Sequence, residues 1–237
     1  MSSEKKERSF VVDAVILCLI TLVLGAILAG VHSVTENPIK EAQQKTDNEA
    51  CEVVVSAVEG ASVTEAEGDA VEAANQFLQQ HVIDKSAEEG KVDEETADSY
   101  SKYVVVTTVK KLQKDGADAG YVYIANARKG YGGSISFVLG VCDGVVTGLE
   151  ITNQSETAGL GANCESDSFK SKFAFDKGLQ YPSSDSFPMY YKPGTTPKDE
   201  QGQIEAMSGA TVTSRAITNA VKGILLYDKE LRGGNNE

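Results

Sequence analysis

Residues 134–152 read SISFVLGVCDGVVTGLEIT. Asp143-Gly144 stands between two runs rich in Val, Ile, Leu and Phe, and this dipeptide accepts the positive φ angles of a two-residue hairpin turn. The stretch therefore predicts two antiparallel strands. Working outward, YVVVTTV (103–109) and YVYIANA (121–127) read as two more strands, with KDGADAG (114–120) as the turn between them. Downstream, NQSETAGLGANC (153–164) breaks the strand pattern, and a helix-like stretch follows from Ser166 to Phe175. A loop rich in Pro, Gly and Ser covers residues 181–203. The chain then enters an apolar helical pattern with Ala216, Ile217, Ala220, Val221, Ile224 and Leu225 on one face. Strands followed by helices in this order predict an α+β fold, an antiparallel sheet with helices packed against it.

The first 32 residues are of different composition. A short tail with Lys5, Lys6 and Arg8 precedes an uncharged run that begins at Ala14 and ends at Val31. As a helix that run is roughly 27 Å long, close to the hydrocarbon thickness of a bilayer. One transmembrane helix is expected, and Ala26 and Ala29 leave a cleaved signal sequence as its rival. The basic tail favours a cytoplasmic N-terminus, opposed by Lys40 and Lys45 beyond the span. From about residue 33 onward the chain is expected to face outward. The sequence divides into tail and anchor (1–32), a helical, acidic connecting region (33–102) and a sheet domain (103–237). A helix is expected from Asn37 after a break at Pro38. Residues 59–99 read as a helical insertion or solvated linker, with Val71, Ala74, Phe77, Leu78 and Val82 as an apolar stripe.

Charge and cysteine usage exclude several functions. With 22 Lys and Arg against 35 Asp and Glu, the net charge is -13, which disfavours nucleic acid and anionic headgroups as partners. Cys18, Cys51, Cys142 and Cys164 form no Cys-x-x-Cys or Cys/His cluster, so no metal centre is expected. A Cys142–Cys164 bridge and buried free thiols both remain open. His32 and His81 are far in sequence from the C-terminal hydroxyls, and no Ser/His/Asp arrangement is present. No catalytic residue is expected.

Those hydroxyls lie in SGATVTS, residues 208–214. Thr213 or Ser214 suits the N-cap of the following helix, and a cap needs only one hydroxyl. Ser208, Thr211, Thr213 and Ser214 together exceed that need, and Gly209 lets backbone amides approach a ligand. Amides at a helix start bind anions, phosphate above all. The spacing is not that of a P-loop. Upstream, ETAGLG (156–161) offers amides with little bulk, either as a tight loop or as a surface for a flat ring. The residues alone leave a plain cap and a phosphate site both standing.

GYGGSISFVLGVCDGVVTGLEITNQSETAGLG (130–161) and SGATVTSRAITNAV (208–221) together resemble the FMN-binding domain found in the G subunit of the Rnf electron-transport complex. The C subunit of the Na⁺-translocating NADH:quinone oxidoreductase shares this domain. The resemblance covers about residue 103 to the C-terminus, and the anchor fits it. It implies FMN joined through its phosphate to a hydroxyl of a Ser/Thr-Gly-Ala-Ser/Thr-x-Ser/Thr pattern. Matched by position, Ser208, Gly209, Ala210 and Thr211 lead through Val212 to Thr213 as the expected acceptor. Glu156, Thr157, Gly159, Leu160 and Gly161 are implied neighbours of the flavin, with Tyr131 and Lys222 as further candidates for ring and phosphate. Ala158 stands where the family commonly has Pro, a departure that bears on loop stiffness. A threonine hydroxyl is a poor nucleophile without a base, and the resemblance implies a separate flavin transferase, using Mg²⁺, that moves FMN from FAD. The implied role is a membrane-anchored electron relay in a ferredoxin:NAD⁺ oxidoreductase that translocates Na⁺ or H⁺, with the other membrane subunits as partners. The quinone-reductase subunit, a stand-alone extracytoplasmic flavin carrier and an anchored domain without cofactor are the alternatives.

Overall fold

The computed structural model describes residues 2–66, 68–83, 98–174, 178–183 and 188–233. The chain divides between Lys45 and Thr46 into two units. Helix α1 (Ser2–Ser56) supplies all the described residues of the first unit and the start of the second. Its apolar section is exposed all round, with Leu17, Leu22, Leu24 and Leu28 each more than half accessible. Among the described residues it is the one helix long and apolar enough to cross a membrane. The expected break at Pro38 does not occur, since the helix continues through it. Proline there removes one backbone donor, and the turns on either side keep theirs.

The second unit is built on a sheet of five antiparallel strands, each paired with the next in this order: β1 (Ala61–Glu65), β4 (Val104–Lys114), β5 (Ala117–Ala127), β6 (Ile135–Cys142) and β7 (Val145–Asn153). The hairpin read from the sequence is present. Cys142 pairs with Val145, and Asp143 and Gly144 take φ of 50° and 81°. A second turn of the same kind falls at Asp115-Gly116, with φ of 54° and 81°. Strands β4 and β5 therefore continue to Lys114 and Ala117, well into the stretch expected as a long turn. Their outer ends are polar, which hides the strand pattern, but the two-residue turn forces the pairing to continue.

Residues 61–65, expected within a helical insertion or linker, form the edge strand β1, paired with β4 from Ala61↔Lys114 to Glu65↔Lys110. Helix α2 (Ala70–Gln80) follows, and its Ala74 and Leu78 are buried. Val82, the last residue of the expected stripe, lies instead in β2 (Val82–Ile83), which pairs with β3 (Asp98–Ser99). Of the acidic 59–99 stretch, residue 67 and residues 84–97 lie outside the described residues. So does Phe175, at the end of the helix-like stretch, which forms only a four-residue helix α3 (Asp167–Lys170). Strands β8 (Tyr190–Tyr191) and β9 (Ile204–Glu205) make a small parallel pair before the C-terminal helix α4 (Thr211–Leu231).

Strand alternation sends residues to two cores. Val104, Tyr123, Phe137 and Leu139 join Leu78, Phe169, Ile217 and Ile224 in the larger one. Leu112, Val122, Ile124 and Val138 meet Ala50, Cys51, Val54 and Val55 of α1 in the smaller one. Gly140 and Gly148 open the sheet for Val54: a Cβ on Gly140 would fall 2.3 Å from Val54 Cγ1. Cys142 belongs to the smaller core and Cys164 to the larger, and all four cysteines are free. Burial, with Glu165 and Glu156 beside it, pushes the Cys164 thiol up to about 12.

Candidate functional site

The first turn of α4 is set by the turn before it. Gly209 takes φ +72°, a left-handed conformation that glycine adopts without strain. This lets the helix start at Thr211, with Ala210 in the capping position and no side chain capping it. The expected cap at Thr213 or Ser214 is therefore replaced by an earlier start. Ser214 works from inside the helix: its hydroxyl donates to the Ala210 carbonyl (3.0 Å) and accepts from the Met207 amide (2.9 Å). The turn is stapled shut from behind. The amides of Thr211, Val212 and Thr213 have no acceptor within the helix, as at any helix start.

These residues form one wall of a cavity of ≈ 490 Å³. Gly209, Ala210, Thr211, Val212 and Thr213 line that wall, and Glu156, Thr157, Leu160 and Gly161 line the opposite one, with Tyr131 at the rim. A volume of this order is typical for a small-molecule site. Tyr131 is 75% exposed, Leu160 44% and Val212 39%, so three apolar side chains stand open around it.

The two central threonines differ sharply. Thr211 is exposed. Thr213 is 1% exposed, and its hydroxyl donates to Glu156 Oε2 at 2.7 Å. The other oxygen of that carboxylate, Oε1, accepts from the Gly132 amide at 2.9 Å. Glycines fit closely around the pair, since a Cβ on Gly161 would lie 2.4 Å from Glu156 Oε2 and 2.6 Å from Thr213 Oγ1. One carboxylate thus ties the 130–133 loop, the 156–161 loop and α4 together.

Of the candidates from the sequence, Glu156, Thr157, Leu160, Gly161, Gly209, Ala210, Thr211, Thr213 and Tyr131 meet at this cavity. Ser208 lines a different hollow of ≈ 500 Å³ with Asn163, Ser166 and Lys172. Gly159 turns the loop at φ +76° without lining the cavity. Lys222 is 4% exposed, and eleven residues along α4 it lies roughly 16 Å from the helix start, away from the 208–213 turn. Val212, Gly130 and Gly132 are the contributors that the sequence did not single out. Val212 lines the cavity, while Gly130 and Gly132 are marked by their close approach to Glu156.

The donor set fits a flavin mononucleotide. The free amides and the exposed Thr211 hydroxyl suit its phosphate, and the open apolar rim suits a planar ring. None of the described lining residues is basic, and no group of metal-binding side chains occurs among the described residues.

Residues 130–225 match the family described as FMN-binding domain. A relative from Clostridium ljungdahlii, the G subunit of a proton-translocating ferredoxin:NAD(+) oxidoreductase complex, is 35% identical over 141 residues, which cover 58% of this chain and 69% of that protein. The Na(+)-translocating counterpart from Acetobacterium woodii is 28% identical, covering 62% and 70%. The G subunit of the ion-translocating oxidoreductase complex of Erwinia tasmaniensis is 33% identical, with 51% of this chain and 55% of that protein covered. Among solved structures, NqrC from Shewanella oneidensis is similar at TM-score 0.42 with 24% identity, covering 49% of this chain and 54% of that one.

Proposed function

We propose, from the premise that the chain belongs to the family of G subunits of ion-translocating ferredoxin:NAD⁺ oxidoreductase complexes, that it is a membrane-anchored flavoprotein subunit that relays electrons through FMN. The FMN-binding match spans the cavity and both of its walls. Flavin accepts one or two electrons, so it connects hydride-level donors to one-electron carriers, while the protein holds and tunes it. The relay needs no acid–base centre of its own. Dinucleotide chemistry and ion translocation fall to the other membrane subunits of the complex.

The flavin is held covalently, by a phosphoester to a threonine of the 208–213 turn. The observation that carries this reading is the Thr211 hydroxyl, exposed at the head of α4 beside three amides without helical acceptors. A second enzyme, a flavin transferase, reaches an exposed hydroxyl more readily than one that is 1% exposed. This favours Thr211 over Thr213, which the pattern match alone designates. The Thr213 reading keeps one specific support, the carboxylate of Glu156 at 2.7 Å that would accept its proton. A tether makes physical sense on the outer face of a membrane, where a released flavin would be diluted and a bound one keeps a high local concentration.

Residues 1–32 serve as tail and anchor and 103–237 carry the flavin. The tail with Lys5, Lys6 and Arg8 puts the N-terminus in the cytoplasm and the flavin domain outside. The test is co-expression with and without a flavin transferase, followed by denaturation, fluorescence and intact mass. One FMN, less water, is expected on the wild-type chain and on Thr213→Ala, and none on Thr211→Ala. An adduct retained in Thr211→Ala and lost in Thr213→Ala moves the site to Thr213. No adduct on the wild type, with transferase present, overturns the covalent reading.

A further inference from the structure

Glu156 is the acidic residue of the cavity wall, and its carboxylate is held at both ends. It is 9% exposed, and each oxygen has its own donor on a different chain segment, the Gly132 amide and the Thr213 hydroxyl. The backbone around it is stripped of side chains. A Cβ on Gly130 would come within 2.5 Å of Oε1, one on Gly132 within 3.1 Å of the Glu156 Cα, and one on Gly161 within 2.4 Å of Oε2. Joining three segments does not by itself call for a charged group, because a buried apolar side chain would fill the same space without desolvating a carboxylate. No described lining residue brings a positive charge to offset it. A charge inside a protein wall acts on a neighbour much more strongly than the same charge in water.

We propose that Glu156 sets the reduction potential of the flavin bound in this cavity, its fixed negative charge holding that potential low. The proposal rests on the flavin reading above. Reduction adds two electrons and one or two protons to the ring, and a carboxylate in the wall opposes the gain of negative charge. Thr213 and Gly132 are positioning residues for that charge: they hold both oxygens in place, so the carboxylate cannot swing out to solvent.

The test is a dithionite titration against reference dyes, on the full-length chain loaded with FMN. Glu156→Gln keeps length, volume and an acceptor for the Gly132 amide while removing the charge. Its midpoint potential is expected to move to more positive values. Thr213→Val removes one of the two tethers and keeps the charge; its potential is expected to shift in the same direction but by less than that of Glu156→Gln, while its melting temperature falls. An unchanged potential in Glu156→Gln overturns the proposal, and so does a shift in Thr213→Val as large as that in Glu156→Gln, which would make the effect one of geometry. If Glu156→Gln does not fold, Thr157→Lys decides, since Thr157 is exposed on the same wall and brings in the offsetting charge. A positive shift supports the proposal and no shift overturns it. A wild-type chain that takes up no flavin refutes the functional reading itself, a distinct outcome.

Discussion

At Gly161 a single methyl group is enough to disturb the site. Its Cβ would press on Glu156 Oε2 and Thr213 Oγ1 together, and neither partner has room to move without losing its hydrogen bond. Gly161→Ala is expected to cost about 1–3 kcal/mol, the usual range for overpacking, and to expose the Thr213 hydroxyl. Urea unfolding measures the first, and amide exchange at the start of α4 the second. The thiols supply another check at this scale. Cys164 is fully buried, with its thiol raised to about 12, so it is expected to resist iodoacetamide at mildly alkaline pH in the folded protein and to react once denatured. Motif spacing in the sequence exposed the residues that line the cavity, because glycines and hydroxyls crowd together there. The family pattern pointed to Thr213, and the difference in exposure between Thr211 and Thr213 was not legible there. Exposure depends on where the helix starts, and Gly209 moves that start earlier than the hydroxyl pattern suggests.

Helix α4 carries the ligand-facing turn at one end and a buried ionic group at the other. Asp228 is fully buried, accepts from the Tyr123 hydroxyl at 3.1 Å and pairs with Arg232. Burial raises its carboxyl above the ordinary 3.8, against the opposing pull of Arg232 and Tyr123. A carboxyl raised on folding contributes stability that is fully present below its unfolded value and is lost as pH rises through the folded one. Unfolding free energy is therefore expected to fall from about pH 4 upward by this group's share. Asp228→Asn removes that slope, as urea midpoints across the range will show. Asp228→Ala strands the buried Tyr123 hydroxyl and is expected to cost about 1–3 kcal/mol. The apolar stripe of α4 was legible in the sequence because its period is regular over 21 residues. Strand β1 was not, because ASVTE is short, mostly exposed and finds its place only through β4. Helix α2, by contrast, was visible in the sequence through the helical spacing of Val71, Ala74, Phe77 and Leu78, and it buries Ala74 and Leu78.

For the whole molecule, the place where α1 meets the sheet decides which truncations fold. Its last turns cover Leu112, Val122, Ile124 and Val138, with Val54 seated over Gly140 and Gly148. A chain beginning at Thr46 is expected to be soluble and to melt cooperatively. One beginning after Ser56 is expected to lose several kilocalories of burial and to aggregate, which light scattering and calorimetry will distinguish. The full chain is expected to partition into detergent. The two ends of the sheet carry one more consequence. At one edge stands five-residue β1, where Glu65 lies 3.7 Å from Lys110; at the other, the Val146 amide of β7 is already engaged by the Leu179 carbonyl. One border is only five residues long, and the other has its Val146 amide occupied, so each gives a neighbouring copy less to pair with. Proteins crowded on a membrane collide constantly, and a short strand at one border and an engaged amide at the other both disfavour strand addition between domains.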